Sequence, residues 1–250
     1  MYRLTEILPY KRIPVLLYHQ IAETTIAEDF HRLAVSAATF ETQMGYLHKQ
    51  GFSTVSLDDI VENNEDTFMG KKFAITFDDG YLDNYTTAFP ILEKYGFTAM
   101  FFLTTDFLGK YHSWASCKPF PYMHWGHARE MLDHGFSFGS HTCLHPDLTA
   151  LTNKETEQEL YVSRKTIEDK LGTSVVHFSY PFGKYNQRIK EMVVDAGYHS
   201  ACSVSYSDND RFSIERFMIA SKDRTVRFRI KSSQWSSWIR NSCKLVGVAS

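Results

Sequence analysis

The chain has 250 residues, of which 43% are hydrophobic and 22% are charged, and its formal net charge is −2 at pH 7. These values are typical of a globular protein, and no run approaches the ~20 apolar residues of a membrane-spanning helix. The length allows one large domain or two small ones.

Short apolar runs bounded by turn residues predict eight β-strands. In chain order they are Pro14–Tyr18, Phe52–Leu57, Phe73–Phe77, Phe97–Leu103, Phe136–Ser140, Val175–Tyr180, His199–Val204 and a weaker strand at Phe217–Ala220.

Helical periodicity fills the intervals between these strands. Ser36 is a candidate N-cap for the first helix, and Thr152-Asn-Lys-Glu155 has the pattern of a capping box before a long helix. Four of the helical stretches end in a glycine followed by an aromatic residue, at Gly51, Gly96, Gly135 and Gly197. A glycine in the left-handed conformation is a common helix stop, so these positions mark helix ends.

The alternation of strands and helices predicts an α/β protein with a mostly parallel sheet. Seven or eight strands in 250 residues fit a closed or nearly closed barrel. An open doubly wound sheet is the alternative, but no GxGxxG turn follows the first strand. Because no segment resembles a linker, we expect residues 1–250 to form a single domain.

Residues that could take part in catalysis or metal binding follow four of the predicted strands. His19 follows the first, Asp78 and Asp79 follow Phe73–Phe77, His141 follows Phe136–Ser140, and Pro181-Phe182-Gly183 follows Val175–Tyr180. The carboxyl ends of parallel strands share one rim, where active sites of α/β proteins lie. Taken alone, Asp-Asp-Gly could be a solvated turn, but the convergence of four segments favours a functional site.

His141 and His145 are four residues apart on one segment and can face the same cation. With Asp79 they would form a two-histidine, one-carboxylate set, which leaves positions open for water and substrate. By itself the HxxxH spacing is also that of a surface helix face. Cys143 lies between the histidines and could compete as a soft ligand, but we favour an inward-facing, apolar role for it.

Three motifs carry a family resemblance. Thr76-Phe-Asp-Asp-Gly80, Ser140-His-Thr-Cys-Leu-His145 and Tyr180-Pro-Phe-Gly183 resemble, in order and spacing, the main motifs of polysaccharide deacetylases, the NodB-homology group of carbohydrate esterase family 4. The similarity extends roughly from Ile13 to Ile219. It is greatest to the branch that includes poly-N-acetylglucosamine deacetylases, whose first strand ends in Tyr-His.

The resemblance implies a single distorted (β/α)7 barrel and metal-dependent removal of acetyl groups from amino sugars. It implies that Asp78 is the general base and that Asp79, His141 and His145 hold one divalent metal ion. Zinc is the first choice of metal, with cobalt, nickel, manganese or iron as alternatives. The backbone N–H of Phe182 is implied as the donor that stabilises the oxyanion.

Two positions depart from the family pattern. Many members use a histidine near the C-terminus as the general acid, but no histidine follows His199. In the branch with the N-terminal Tyr-His motif the corresponding histidine takes this role, so His19 is the candidate; the alternative is a buried histidine at a strand end. Many members also carry an arginine two residues before the motif proline, where Ser179 stands here. Another group, with Tyr180 as a candidate, would then orient Asp78.

The substrate contacts are predicted with less detail. The segment from Thr104 to Trp125 is rich in aromatic residues and could stack on sugar rings or form a lid over the core. We expect Trp114, Tyr180 and Pro181 to contact the substrate, and Trp125 to begin the next helix.

Three hypotheses for function follow. The first is a hydrolase of carbon–nitrogen bonds that removes an N-acetyl group from a glycan, a lipid-linked saccharide or a nucleotide sugar. The second is a deformylase or another amidase of the same fold. The third is a non-catalytic carbohydrate-binding relic, which the intact acidic and histidine residues disfavour.

The sequence also predicts a cellular location and partners. Charged residues interrupt the N-terminal twelve residues, so no signal peptide is predicted and the sequence as it stands indicates a cytoplasmic protein; removal of a leader would instead indicate a periplasmic or extracellular one. We expect a carbohydrate substrate and no nucleic-acid partner. The basic segment 221–250 is predicted to be helical; it could contact an anionic membrane surface or, as we favour, pack its tryptophans on the core.

Overall fold

Parallel strands alternate with helices through the described part of the computed structural model, which comprises residues 13–23, 33–62, 69–113, 119–204, 210–223 and 225–232. The strands are β1 (Val15–Tyr18), β2 (Phe52–Thr54), β3 (Lys71–Phe77), β4 (Met100–Leu103), β5 (Tyr111–His112), β6 (Phe120–Pro121), β7 (Ser137–Ser140), β8 (His177–Ser179), β9 (Ser200–Ser203), β10 (Ile214–Glu215) and β11 (Phe217–Met218). The helices are α1 (Ala37–Lys49), α2 (Leu57–Glu62), α3 (Phe89–Tyr95), α4 (Trp125–Asp133), α5 (Asn153–Leu171), α6 (Gln187–Asp195) and α7 (Thr225–Lys231).

The main sheet is a nearly closed barrel. Its strand order is β10-β9-β8-β7-β4-β3-β1-β11, with β2 also paired to β3, and every neighbouring pair is parallel. The two ends of this path, β10 and β11, are separated in the chain by Arg216 alone. The predicted barrel is therefore confirmed, with a seam at Arg216. A separate antiparallel pair, β5 and β6, was not predicted.

Apolar side chains pack on both faces of the sheet. One large cluster joins strand residues such as Phe77, Phe101 and Phe178 to the surrounding helices. A second cluster uses the alternating residues, including Met100 and Phe102, together with the apolar face of α2. This period-two division of side chains gives strands such as β1, β4 and β9 two buried faces, as expected for a parallel sheet covered by helices.

Most helix boundaries follow the predicted signals. Ser36 caps α1 by accepting the N–H of Thr39, and the Thr152–Glu155 capping box opens α5, which ends at Gly172 in the left-handed conformation. Trp125 begins α4, also as predicted.

The predicted strand Phe52–Leu57 is too long, because Leu57 begins helix α2. The cause is a second capping box: the Asp59 carboxylate accepts the backbone N–H and the hydroxyl of Ser56, and the Ser56 hydroxyl accepts the N–H of Asp59. These reciprocal bonds satisfy backbone donors of the helix start and end the strand at Thr54.

The basic segment 221–250 is described only in part. Helix α7 lies within it, and Phe228 is buried against the ring of Tyr46 on α1, with ring centroids 6.4 Å apart. Residues 233–250, with Trp235 and Trp238, lie outside the described residues. Within the described ranges, no helix is long and apolar enough to cross a membrane.

The register of the sheet brings the predicted site together. Tyr18 pairs with Phe77, so His19 and Asp78 leave neighbouring strands side by side. Ser140 of β7 pairs with Phe178 of β8, which places the residues after both strands on the same rim. The convergence predicted from the strand ends is confirmed.

Gly139 of β7 lies at a close contact with the two neighbouring strands. A Cβ atom on Gly139 of β7 would lie 2.5 Å from Cε1 of Phe102 and 2.9 Å from the carbonyl oxygen of His177. We expect Gly139→Ala to lower the free energy of unfolding by about 1–3 kcal/mol, because backbone must shift to admit the methyl group. Urea denaturation of this variant and of Ser137→Ala, a half-buried control on the same strand, measures the effect. Equal small losses in both variants would contradict the packing described here.

Candidate metal and catalytic site

The two adjacent carboxylates lie at the end of β3. Asp78 and Asp79 are 2% and 5% exposed, and Asp79 adopts a left-handed backbone with φ 76°. Gly80 continues the turn with φ 86°, a conformation that favours glycine. Burial of two neighbouring carboxylates is unfavourable unless each finds a cationic partner.

The histidines of the His141–His145 loop face Asp79. Nε2 of His141 lies 3.6 Å and Nε2 of His145 lies 3.5 Å from Oδ1 of Asp79. Two ligand atoms each ~2.1 Å from one tetrahedral ion are roughly 3.4 Å apart, so these separations suit a shared metal. The three side chains together form a possible metal site in the described part of the chain.

The donor set fits a divalent cation. Oδ1 of Asp79 is buried and has no hydrogen-bond partner among the described residues, so a cation would satisfy this oxygen. The Nδ1–H of His141 donates to the carbonyl oxygen of Ser179 at 2.8 Å, which fixes the tautomer and leaves Nε2 as the free electron pair. Two neutral imidazoles and one carboxylate are ligands typical of zinc.

Burial controls the charge of these ligands. It lowers the pKa of His141 and of His145 to about 4, so both rings are neutral near pH 7. Burial also raises the pKa of Asp79, an effect opposed by the nearby histidines and by a hydrogen bond from Tyr81.

Asp78 has a different partner, the fully buried Arg216 at the barrel seam. Nη1 and Nη2 of Arg216 each donate to one carboxylate oxygen of Asp78, both at 2.7 Å. Ser179 completes the arrangement, since its hydroxyl donates to Oδ2 of Asp78 at 3.0 Å and accepts from Nη2 of Arg216 at 2.8 Å. Arg216 also donates to Thr76 Oγ1 and to the carbonyl oxygen of Ser203.

This arrangement keeps Asp78 ionised. Burial alone would raise the pKa of Asp78, but the charge and hydrogen bonds of Arg216, together with the nearby His141 and His19, hold the pKa well below the usual range of an aspartate. The two adjacent carboxylates are therefore unlike: Asp78 is paired with a fixed protein cation, and Asp79 faces the candidate metal position.

Arg216 was not among the predicted site residues. The structure corrects the suggestion that Tyr180 orients Asp78, because the Tyr180 hydroxyl donates instead to the carbonyl oxygen of Phe212. A signal was present in the sequence: Arg216 stands with Glu215 in the segment Ile214–Ile219, whose other four residues are apolar, and an arginine buried in such a segment needs a carboxylate partner.

His19 directly follows β1, and it lies on the same rim as Asp78 because Tyr18 pairs with Phe77. The backbone at and after His19 is held by the side chains of Asp83 and Asn84, which follow β3. Asn84 Nδ2 donates to the carbonyl oxygen of His19 at 2.7 Å, and Asp83 Oδ1 accepts the N–H of Ile21 at 2.9 Å. Its position at the rim suits the predicted role of general acid.

The motif Tyr180-Pro-Phe-Gly183 after β8 exposes one residue and buries the other three. Phe182 is exposed, has a left-handed backbone with φ 59°, and its ring lies 4.5 Å from the ring of His145. Tyr180 and Pro181 are buried, and their contacts with a substrate stay a prediction. Trp114, the other predicted contact, lies outside the described residues.

Cys143 is not among the three residues of the possible metal site. Burial raises the pKa of its thiol to about 12, and its sulfur lies 3.9 Å from the carbonyl oxygen of Glu159. A protonated, buried thiol agrees with the inward-facing role predicted for it.

Backbone strain is concentrated at this site. Across the described ranges, the non-glycine residues with positive φ are Asp79, Thr142, His145 and Phe182. Such conformations cost of order 1–3 kcal/mol each and persist only where the surroundings enforce them. Their clustering around the three motifs indicates that holding this geometry lowers the stability of the fold.

Comparisons with known proteins agree with the geometry. Residues 65–201 match the family profile described as polysaccharide deacetylase. The protein YxkH of Bacillus subtilis (strain 168) is 31% identical over 189 residues, which are 75% of this chain and 62% of that protein. The chain thus spans less than two thirds of the length of this curated relative.

Two solved structures share the fold. The polysaccharide deacetylase BC0361 from Bacillus cereus has a TM-score of 0.73 and 25% identity, covering 88% of this chain and 69% of that chain. The Streptococcus pyogenes deacetylase PplD has a TM-score of 0.77 and 23% identity, covering 88% of this chain and 98% of that chain. Both support the distorted barrel.

The buried ion pair makes a stability prediction. Arg216→Gln should lower the free energy of unfolding by about 3–5 kcal/mol, because it leaves Asp78 as a buried carboxylate without its cation. Adding Asp78→Asn should recover part of that loss, with a coupling energy of about 1–3 kcal/mol in a double-mutant cycle followed by urea denaturation. The exposed pair Lys94–Glu41 is the control and should show much weaker coupling. Additive losses at Arg216 and Asp78 would contradict the pairing.

Proposed function

Since the chain belongs to the polysaccharide deacetylase family, we propose that it hydrolyses the N-acetyl group of an amino sugar, in a glycan or in a lipid-linked or nucleotide-linked saccharide, and releases acetate. The observation that carries this proposal is the placement of an ionised, arginine-held carboxylate beside a two-histidine, one-carboxylate set on one rim.

We infer that Asp79, His141 and His145 hold one divalent ion, with zinc as the first choice because of the donor set. Such an ion, when bound, supplies Lewis-acid polarisation of the acetyl carbonyl and lowers the pKa of water. The remaining chemistry falls to the side chains and backbone of the chain.

Asp78 is the proposed general base. Its carboxylate lies 3.9 Å from Nε2 of His141, next to the proposed metal ligands, and Arg216 and Ser179 fix its orientation. Because its pKa is held low, Asp78 is ionised at neutral pH, as a general base must be, but it is also a weak base. The same low pKa means that Asp78 holds the proton of the attacking water only weakly, which favours its transfer onwards.

Departure of the sugar amine requires an acid, since an amide anion is a poor leaving group. We assign this role to His19, an imidazole suited to proton transfer near neutral pH. The backbone N–H of Phe182, in its left-handed conformation next to His145, is the proposed donor to the developing oxyanion.

The first test is acetate release. The purified chain, either loaded with zinc or stripped by a chelator, is incubated with N-acetylglucosamine oligomers and with nucleotide-linked N-acetylglucosamine. We expect acetate only from the loaded protein, and a fall in kcat of about 10²–10⁴-fold for Asp78→Asn, because the general base is lost. Asp195→Asn, an exposed aspartate on α6, is the control. Absence of acetate from every substrate, with metal occupancy confirmed by mass spectrometry, would count against the proposal.

The second test concerns His19. Replacing it with alanine should lower kcat by about 10²-fold or more, because the leaving amine is no longer protonated, while one metal ion per chain is retained. Metal content and kcat are measured together, with the exposed His134→Ala as control. Loss of the metal would make His19 a ligand, and an unchanged kcat would remove it as the acid.

A further inference from the structure

The loop that carries the two histidines has its backbone donors occupied by side chains. Four consecutive N–H groups, from residue 142 to residue 145, each donate to a side-chain oxygen. Thr142 N–H donates to Ser140 Oγ at 3.3 Å, Cys143 N–H and Leu144 N–H donate to Glu159 Oε2 at 2.7 and 3.1 Å, and His145 N–H donates to Thr142 Oγ1 at 2.9 Å.

Of the side chains that accept these four bonds, Glu159 alone carries a charge. It projects from α5, is half-buried, and offers a single oxygen to two successive backbone N–H groups. Successive N–H groups in such a turn form a concave anion site, and hydrogen bonds to an ionised acceptor are roughly twice as strong as neutral ones. Glu159 is therefore the strongest of these anchors.

The opposite side of the loop is also tied down. The carbonyl oxygens of Thr142 and Cys143 accept the N–H groups of Thr105 and Asp106, which follow β4. The loop thus lies between α5 and the end of β4, and Glu159 supplies the tie from α5.

This tie acts on a strained segment. Thr142 and His145 both have left-handed backbones, with φ 69° and 57°, and each such residue costs of order 1–3 kcal/mol. A loop with this much strain relaxes unless its surroundings hold it. Relaxation would separate Nε2 of His141 and of His145, which lie 3.6 and 3.5 Å from Oδ1 of Asp79.

We propose that Glu159 is a positioning residue that orders the 141–145 loop before metal binding and thereby sets the metal affinity of the site. This inference rests on the proposed metal-dependent function. Glu159 acts through the backbone of Cys143 and Leu144, so it changes the affinity of the site rather than the chemistry of the bound state.

The test measures zinc affinity in the full chain. Zinc is titrated into the metal-free protein in competition with a chromophoric chelator, for the wild type and for Glu159→Ala, Glu159→Gln and Glu157→Ala. Glu157 is an exposed glutamate on the same helix and is the matched control. Hydrogen exchange of the Cys143 and Leu144 amides in the metal-free proteins reports on the order of the loop.

We expect Glu159→Ala to raise the Kd for zinc about 10–100-fold, the usual effect of losing a group that orients metal ligands. Glu159→Gln keeps an acceptor oxygen but loses the charge, so its Kd should rise roughly 3–10-fold. Exchange of the two amides should accelerate in the same order, and Glu157→Ala should match the wild type. At saturating zinc, kcat of Glu157→Ala should match that of the wild type.

An unchanged Kd in both Glu159 variants would overturn the inference, and so would faster exchange without any loss of affinity, since that would show a purely structural role. If Glu159→Ala does not fold, Glu159→Gln decides alone, by the same criterion. The proposed function fails separately: in that case the wild type itself binds no zinc or releases no acetate.

Discussion

The buried ion pair between Arg216 and Asp78 is the interaction on which the rim of this barrel depends. Removing both charges from water is costly, and the cost is offset only because the geometry is bidentate and Ser179, Thr76 and Ser203 take up further hydrogen-bonding groups. Arg216 is also the residue between β10 and β11, the two ends of the sheet. The residue that joins the two ends of the sheet in the chain therefore also orients Asp78.

This pair makes two neighbouring carboxylates chemically different. Asp78 has a cation supplied by the protein and stays ionised, whereas Asp79 keeps an unpartnered oxygen facing two neutral imidazoles. Ser179 connects the two halves, because its hydroxyl bonds to Asp78 and its carbonyl oxygen accepts the N–H of His141. Ser179 thus stands where the family resemblance predicts an arginine, and Arg216 at the barrel seam supplies the guanidinium instead.

Site residues whose positions depend on the local sequence could be predicted. Residues whose positions depend on contacts between distant parts of the chain could not. His19, Asp79, His141 and His145 each follow a strand, and strand ends are visible in the pattern of apolar residues. Tyr180 also follows a strand but turns inward, and its hydroxyl bonds to Phe212, a residue 32 positions away.

The same distinction explains Arg216 and α2. Arg216 is 138 positions from Asp78, and only closure of the sheet brings them together, so periodicity could not pair them. The Ser56–Asp59 capping box at α2 was by contrast visible in the sequence, and the preceding β-rich run obscured it. Long-range pairing thus limited the prediction of the site, and competing local signals limited the prediction of the fold.

The most direct test of this account is the titration of the Asp78 carboxyl group. Carbon-13 NMR of the metal-free protein follows this carboxyl as the pH is lowered, in the wild type and in Arg216→Gln. The account predicts that Asp78 in the wild type stays ionised to well below the ordinary pKa of an aspartate, and that its pKa in Arg216→Gln rises above that ordinary value, because burial then acts without the guanidinium. The same pKa in both proteins would contradict the central role of Arg216.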